Sequence, residues 1–142
     1  MPSINSQLMK AIRADDGVLV AEAVRSGADP NACNKIGLTP FIWCARKGHI
    51  TAARALLSAG ADPEARDSEH RTAIHHATLF KRRAFIDYLI SIGANLAATE
   101  RYECSALDLA LYNSDPKTVA QLTAAKVPAP KHPKHYESTP DA

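Results

Sequence analysis

Apolar residues between positions 40 and 58 recur three or four positions apart, in two short segments that a glycine separates. This spacing places the apolar residues of each segment on one face of a helix. They are Phe41, Cys44 and Ala45 in the first segment and Ile50, Ala53, Leu56 and Leu57 in the second. The pattern therefore predicts two short amphipathic helices joined by a tight turn.

The residues that flank these two segments are suited to begin and end helices. The hydroxyl of Thr39 can accept a hydrogen bond from an unpaired amide of the first turn. Pro40 suits the first helical position, because its missing N–H costs nothing there. Gly48 and Gly60 follow the two segments, where a residue in the left-handed conformation ends a helix without strain. Local signals thus agree with the apolar spacing.

Two phrases of the sequence return at a fixed step of 33 residues. Gly-Ala-Asp-Pro at 27–30 returns unchanged at 60–63 and loosely at 93–96, and the helix start at Thr39 returns at Thr72 and Ser105. A fixed period in this range is the signature of stacked structural repeats, which bury their apolar faces against their neighbours.

These phrases resemble the ankyrin repeat, whose pattern runs Thr-Pro-Leu-His-x-Ala-Ala, then Gly-His, Leu-Leu and Gly-Ala-Asp. Residues 34–66 match best, with Thr39-Pro40-Phe41, Cys44-Ala45, Gly48-His49, Leu56-Leu57 and Gly60-Ala61-Asp62; residues 67–99 keep Thr72, Ile74, His75, Ala77, Leu89-Ile90 and Gly93-Ala94. The resemblance implies an all-α ankyrin-repeat solenoid with four helix-turn-helix repeats and short projecting loops. The predicted domain is 1–126, with repeats at 1–33, 34–66, 67–99 and 100–126.

The two terminal units match less well but follow the same logic. The first unit has two apolar faces, Leu8, Ala11 and Ile12 and then Leu19, Ala23 and Val24. In the fourth unit Ser105 is the predicted helix cap, and Asp115 and Pro116 are expected to open the last helix. Residues 127–142 are rich in Pro, Lys and His, which predicts a disordered C-terminal tail.

The third unit departs from the second at two turns. His70 stands in the place of Gly37, and Lys81 in the place of Gly48. If the backbone keeps a positive φ at these positions, each departure costs on the order of 1 kcal/mol. A slightly altered turn is the alternative.

The resemblance also implies a concave surface, built from the loop tips and the outer side of each first helix, where a partner would bind. The matching positions hold Arg13, Lys35, Ile36, Leu38, Trp43, Arg46, Lys47, Arg66, Glu69, Arg71, His76, Leu79, Phe80, Arg101, Tyr102, Tyr112 and Asn113, together with Cys33, Ser68, Cys104 and Leu109. Trp, Tyr and Arg dominate binding hot spots. Glu69 is the one acidic residue of this set, so the surface is predicted to be basic and to attract an acidic partner.

Two alternatives remain for this surface. Trp43 or Phe80 could fold back between helices as part of the core. The arginines could serve only to keep the chain in solution.

Composition narrows the function classes. The 142 residues are enough for one domain, and the net charge of +2 makes no strong case for nucleic acid. The N-terminus lacks a signal segment and no apolar run approaches about 18 residues, so a soluble cytoplasmic protein without membrane contact is expected. The three cysteines are too few and too scattered for a disulfide framework or a zinc site. Cys44 is predicted to be inert core, and Cys33 and Cys104 to lie at exposed loop tips.

No motif predicts catalysis, a cofactor or a metal. The sequence has no Gly-rich phosphate loop and no serine or cysteine with an evident catalytic partner. The resemblance implies that His75 hydrogen-bonds between loops and that His76 faces the concave side. Adjacent helical residues diverge by about 100°, so these two would not share a metal ion. His132 and His135 lie in the predicted tail and have no folded scaffold. The chain is therefore predicted not to be an enzyme.

The leading hypothesis is a monomeric module that binds one partner protein through the concave face. As an inhibitor, for example an immunity protein that blocks a toxin or effector, it would cover the partner's active surface; as an adaptor or regulatory scaffold subunit it would tether the partner. Nucleic-acid binding by the basic face is an alternative that the modest charge disfavours. Self-association into a scaffold is a third.

Overall fold

The computed structural model describes residues 4–125, and these form an array of paired helices. Within them there are eight helices and no strand: α1 Ile4–Arg13, α2 Gly17–Arg25, α3 Pro40–Lys47, α4 Ile50–Ser58, α5 Ala73–Leu79, α6 Arg83–Ser91, α7 Ala106–Tyr112 and α8 Pro116–Ala124. One pair falls in each predicted unit, so the all-α solenoid is confirmed. The unit boundaries stay a prediction, and the tail predicted at 127–142 lies outside the described residues. No helix between residues 4 and 125 is long and apolar enough to cross a membrane.

The helices begin and end where the local signals indicated. The Thr39 hydroxyl accepts a hydrogen bond from the Ile42 amide at 3.2 Å, and Pro40 opens α3. Gly48 ends that helix in the left-handed conformation, with φ at 75°. The Asp115 carboxylate caps α8, ahead of Pro116. These ends are set by residues a few positions apart, and this is why sequence alone finds them.

The two turns of the third unit that lack glycine keep the left-handed backbone. His70 has φ at 61° and Lys81 at 56°, close to the 81° of Gly37 and the 75° of Gly48. The first of the two sequence alternatives is therefore correct, and each side chain carries a cost of about 1–2 kcal/mol. Packing of the neighbouring repeats imposes the turn on an unfavourable residue.

The core runs through the array between successive helix pairs. The first helices stack as α3 on α5 and α5 on α7, and α2 packs on α4. The rings of Phe41 and Phe85 meet edge to face, with centroids 5.8 Å apart, and so join the second unit to the third. One predicted core residue is wrong: Leu19 is 46% exposed in an open groove between α1 and α2, and its neighbour Val20 is fully buried instead.

In each of the second, third and fourth units, one polar side chain fixes the loop that precedes the first helix. The Asp67 carboxylate accepts hydrogen bonds from the amides of Glu69 at 2.8 Å and Arg71 at 3.0 Å. Asn34 and Glu100, one step of 33 residues before and after, make the same two contacts, to amides two and four positions ahead. The sequence analysis missed this third periodic position.

Each loop then joins the next through its backbone. The Ser68 amide donates to the Ile36 carbonyl at 3.1 Å, and the Arg101 amide donates to the Glu69 carbonyl at 3.0 Å. The approach is so close that a Cβ at Gly37 would lie 2.8 Å from the Ser68 nitrogen. Glycine is required at position 37 for space as well as for its φ angle.

His75 links the third unit to the fourth, as the resemblance implied. Its Nδ1 accepts a hydrogen bond from the Thr72 amide at 3.1 Å, and its Nε2 donates to the Cys104 carbonyl at 3.1 Å. The contact accepted by Nδ1 requires the neutral ring, because a protonated ring has no acceptor. Burial lowers the pKa of His75 to about 4, so the ring stays neutral near pH 7.

We predict that Gly37→Ala destabilises the array more than Gly93→Ala. Both positions have a similar positive φ, 81° and 75°, so both variants carry the left-handed strain. Only the variant at 37 also forces the Ser68 backbone to move, because nothing lies within 4 Å of a Cβ at 93. Urea unfolding of the two variants measures the difference, and equal losses of free energy would contradict the loop contact.

We predict that stability falls as the pH is lowered from 6.5 to 4. In this window the unfolded chain protonates His75, with its ordinary pKa of 6.5, whereas the folded chain does not. The free energy of unfolding then falls by up to roughly 3 kcal/mol. His75→Gln provides the control, because glutamine can make both hydrogen bonds and does not titrate. An equally steep decline in this variant would show that another group is responsible.

Candidate functional site

The predicted surface contains a tight cluster of two cations and two aromatic rings. The Arg46 guanidinium lies between the rings of Trp43 and Phe80, with its Cζ 5.3 Å and 4.8 Å from the two centroids. The Nζ of Lys47 lies 5.3 Å from the centre of the Trp43 ring. These distances are in the range of favourable cation–π contacts. We call Trp43, Arg46, Lys47 and Phe80 the cation–aromatic cluster.

The cluster combines the second and third units. The first three of its residues are on α3, and Phe80 follows the last turn of α5. Phe80 is 42% exposed, so it is a surface residue. Trp43 is half-buried and packs partly against the core. The alternative that these two rings fold back into the core is therefore wrong for Phe80, and it is partly correct for Trp43.

The positive charge of the cluster has no acidic partner between residues 4 and 125. The ion pairs there are His76–Asp67, Arg83–Asp115 and Arg101–Glu69, and none includes Arg46 or Lys47. The Nε atoms of Arg46 and Arg71 and the Nε1 of Trp43 are buried without a hydrogen-bond partner. A donor that has lost water and gained no acceptor is unfavourable by about 1–3 kcal/mol. All three atoms are closed off from solvent, so their unpaired state is a local cost within the free protein.

His76 is a correction to the predicted surface. It is only 5% exposed, and its Nε2 lies 2.7 Å from the Asp67 carboxylate. Burial lowers the pKa of His76, and the nearby Arg46 and Arg71 lower it further, against the opposing effect of Asp67. It supports the loop from beneath and does not reach a partner.

Asp67 is an acidic residue of the same loop that the sequence analysis did not place there. Burial favours its neutral form, but hydrogen bonds from Arg71, His76 and Glu69 outweigh that effect and hold its pKa below the ordinary value. The charge of Asp67 is thus committed to the loop. Its place in the 33-residue period, between Asn34 and Glu100, was the signal that could have found it.

A second, smaller group lies between the loops of the third and fourth units. The Arg101 guanidinium is 3.5 Å from the Glu69 carboxylate and its Cζ is 5.6 Å from the centre of the Tyr102 ring. Both Arg101 and Tyr102 are more than half exposed. An exposed pair at this distance contributes little to stability, about 0–1 kcal/mol. This group adds Arg101 to the positive charge of the surface, and Glu69 balances part of that charge.

Other predicted contact residues are used inside the molecule. Leu38 is 7% exposed, Leu109 5% and Cys104 fully buried, so all three predictions of a surface position are wrong. They are buried because the loops close on one another and on the first helices. The Arg66 guanidinium donates to the carbonyls of His70 at 2.9 Å and Thr99 at 2.6 Å, which makes it a brace between two loops.

The remaining predicted residues are accessible to different degrees. Lys35, Ile36 and Cys33 are exposed on the first projecting loop and the turn before it, and Arg13 is exposed at the end of α1. Ser68, Tyr112 and Asn113 are exposed in the third and fourth units, and Leu79 and Arg71 are half-buried. The predicted binding role of every residue on this surface stays a prediction.

Two observations on residues 4–125 bear on metal binding and on thiol reactivity. No group of three His, Cys, Asp or Glu side chains within residues 4–125 is placed to hold a metal ion. Burial raises the pKa of the Cys44 thiol far above its ordinary value, which removes the thiolate needed for reactivity.

Comparison with known proteins gives one family. A family model described as "Ankyrin repeats (3 copies)" matches residues 8–100. Inversin from Canis lupus familiaris is 31% identical over 118 residues, which cover 83% of this chain and 11% of the relative. Ankyrin repeat and SAM domain-containing protein 6 from Mus musculus is 33% identical over 94 residues, and the 2-5A-dependent ribonuclease of that species is 38% identical over 69. These cover 63% and 48% of this chain, and the chain spans about a tenth of the length of these relatives.

Proposed function

The chain belongs to the ankyrin-repeat family, and we propose that it is a non-catalytic module that binds an acidic partner protein through its concave face. Ankyrin repeats generally mediate protein–protein interaction and are typically non-catalytic. Within that family role, the cation–aromatic cluster is the feature that defines the partner's chemistry. The whole proteins that share the repeat differ widely, so none of their individual activities is assigned to this chain.

A single observation supports the proposal most strongly. Arg46 is held between two rings, with a buried Nε and no acidic neighbour in residues 4–125. Stacking fixes the guanidinium plane and leaves less rotamer freedom to lose when a carboxylate binds. Trp and Arg side chains that are partly desolvated before binding are typical hot spots. A partner carboxylate at this point would gain charge complementarity and a bidentate hydrogen bond together.

The finer role that we propose is inhibition, in which the face covers the acidic surface that the partner uses. An adaptor would leave that surface active. The two roles are separated by the partner's own activity with and without an equimolar amount of this chain: inhibition predicts a loss and tethering predicts no change. The monomeric state and the cytoplasmic location stay predictions, and sedimentation of the isolated chain tests the first.

Nucleic acid is the second candidate, since the same rings and arginines could stack bases and contact phosphates. The carboxylate of Glu69, which pairs with Arg101 on this face, opposes a polyanion. Salt separates the candidates, because phosphate contacts lose affinity steeply between about 50 and 200 mM salt. A protein complex anchored by a stacked aromatic cluster persists over that range.

We predict that Arg46→Gln weakens partner binding by about tenfold or more, whereas Arg54→Gln changes it by less than about twofold. The two variants lose the same charge, and Arg54 also stacks on a ring, that of Tyr88 at 5.7 Å, but it lies on the second helix of its unit. Trp43 is a poorer choice because it also packs against the core.

The measurement is affinity capture from the native cell with three baits, followed by quantitative mass spectrometry. Proteins retained by the wild type and Arg54→Gln and lost with Arg46→Gln are the specific partners. Circular dichroism should show the same fold and melting temperature for all three baits, within about 0.5 kcal/mol of stability. Equal retention by all three would place the binding surface elsewhere.

A further inference from the structure

An apolar groove lies next to the cation–aromatic cluster, between α1 and α3. It has a volume of about 350 Å³ and is lined on its apolar side by Leu8, Met9, Leu38, Pro40 and Trp43. The loop at 29–34 forms its opposite wall. The volume is at the lower end of ligand sites and suits one large apolar side chain with part of its backbone. The sequence analysis did not predict this groove.

Trp43 is the wall that the groove shares with the cluster. Its ring lines the groove and at the same time carries the Arg46 and Lys47 cations within 5.3 Å of its centre. Its Nε1 is buried and has no hydrogen-bond acceptor among residues 4–125. An apolar cavity, two unpaired cations and an unsatisfied donor therefore meet at one side chain.

Charge around the groove is positive. Arg13 lines it on the side of α1, while Arg46 and Lys47 stand at the Trp43 side. The carboxylate in the lining is that of Asp29, and its Oδ1 accepts a hydrogen bond from the Asn31 amide at 2.9 Å. That contact holds the turn. Of the charged residues, Arg13 and Asp29 line the groove itself, and the cations of Arg46 and Lys47 lie beside it, against the Trp43 ring.

We propose that this groove binds a short segment of a partner protein in which an apolar side chain stands beside an aspartate or glutamate. The apolar side chain enters the groove against Trp43, and the adjacent carboxylate pairs with Arg46 and Lys47. This inference rests on the proposed function, because it specifies how the acidic partner is recognised by the same face.

A larger side chain at position 32 would close the groove, and the same substitution at position 65 provides a matched control. Ala32 lines the groove, and Ala65 occupies the same turn one repeat later, outside it. Their amides make the same backbone contact, to Asp29 at 3.2 Å and to Asp62 at 3.4 Å, and both side chains are half-buried. Leucine at 32 fills the groove, whereas leucine at 65 adds the same bulk and leaves the groove open.

The first experiment selects random short peptides displayed on phage against the full chain. We expect enriched sequences to place a large apolar residue within one or two positions of Asp or Glu. The enriched peptide is then titrated while the emission of Trp43, the chain's single tryptophan, is recorded. Binding should shift this emission, weaken about tenfold or more in Ala32→Leu and in Arg46→Gln, and stay within about twofold in Ala65→Leu.

Several outcomes would overturn the groove. Enrichment of basic or uncharged sequences, no enrichment, or equal binding by the two leucine variants would each do so. The chain's own C-terminal segment has Tyr136 next to Glu137, the same pairing of an apolar and an acidic residue. If the double variant Tyr136→Ser, Glu137→Gln changes the Trp43 emission without any peptide, the groove belongs to that segment and not to a partner. If the groove fails while Arg46→Gln still loses the cellular partner, the proposed function stands. If Arg46→Gln also retains the cellular partner as well as the wild type does, both the groove and the proposed function fail.

Discussion

The array depends on a polar side chain that fixes each projecting loop from within. Asn34, Asp67 and Glu100 each accept two amide hydrogen bonds, so every loop has the same shape at the same step. Only loops of equal shape can then pair with one another through their backbones, as the Ser68 amide does with the Ile36 carbonyl. Apolar burial supplies most of the stability of such an array. The loop contacts decide its register, because a buried helix face alone tolerates small shifts.

The geometry of the cation–aromatic cluster follows from that register. Arg46 and Phe80 belong to different units and are 34 positions apart in the sequence, yet the guanidinium lies 4.8 Å from the ring centre. A shift of one unit against the next would separate them. The cation is therefore positioned by the stacking of the repeats. The buried Nε of Arg46 is a local cost that the repeat interface can sustain.

Local signals were predicted well from the sequence, and burial between repeats was not. Thr39, Pro40 and Gly48 act within one turn of helix, so their roles can be inferred from their own segment. Leu38 and Cys104 were placed on the surface, but the neighbouring loops close over them. Burial at such positions depends on residues about 33 positions away, and no local pattern reports it. The groove beside Trp43 is hidden for the same reason, since its walls come from α1, α3 and the loop between units.

The strained turn after α5 shows how the fold and the site are coupled. Lys81 holds a left-handed backbone where the second unit has glycine, and this turn directs the residues on both sides of it to Arg46. Phe80 covers the guanidinium, while the Arg82 Nε donates to the Arg46 carbonyl at 2.9 Å. A relaxed turn would move these two neighbours relative to each other, and only one of the contacts could then survive. Asp15 and Ser114 hold the same left-handed turn in the first and fourth units, with φ at 51° and 52°, so the strain belongs to the repeat itself. The two contacts to Arg46 therefore use a turn that the stacking of the units already requires.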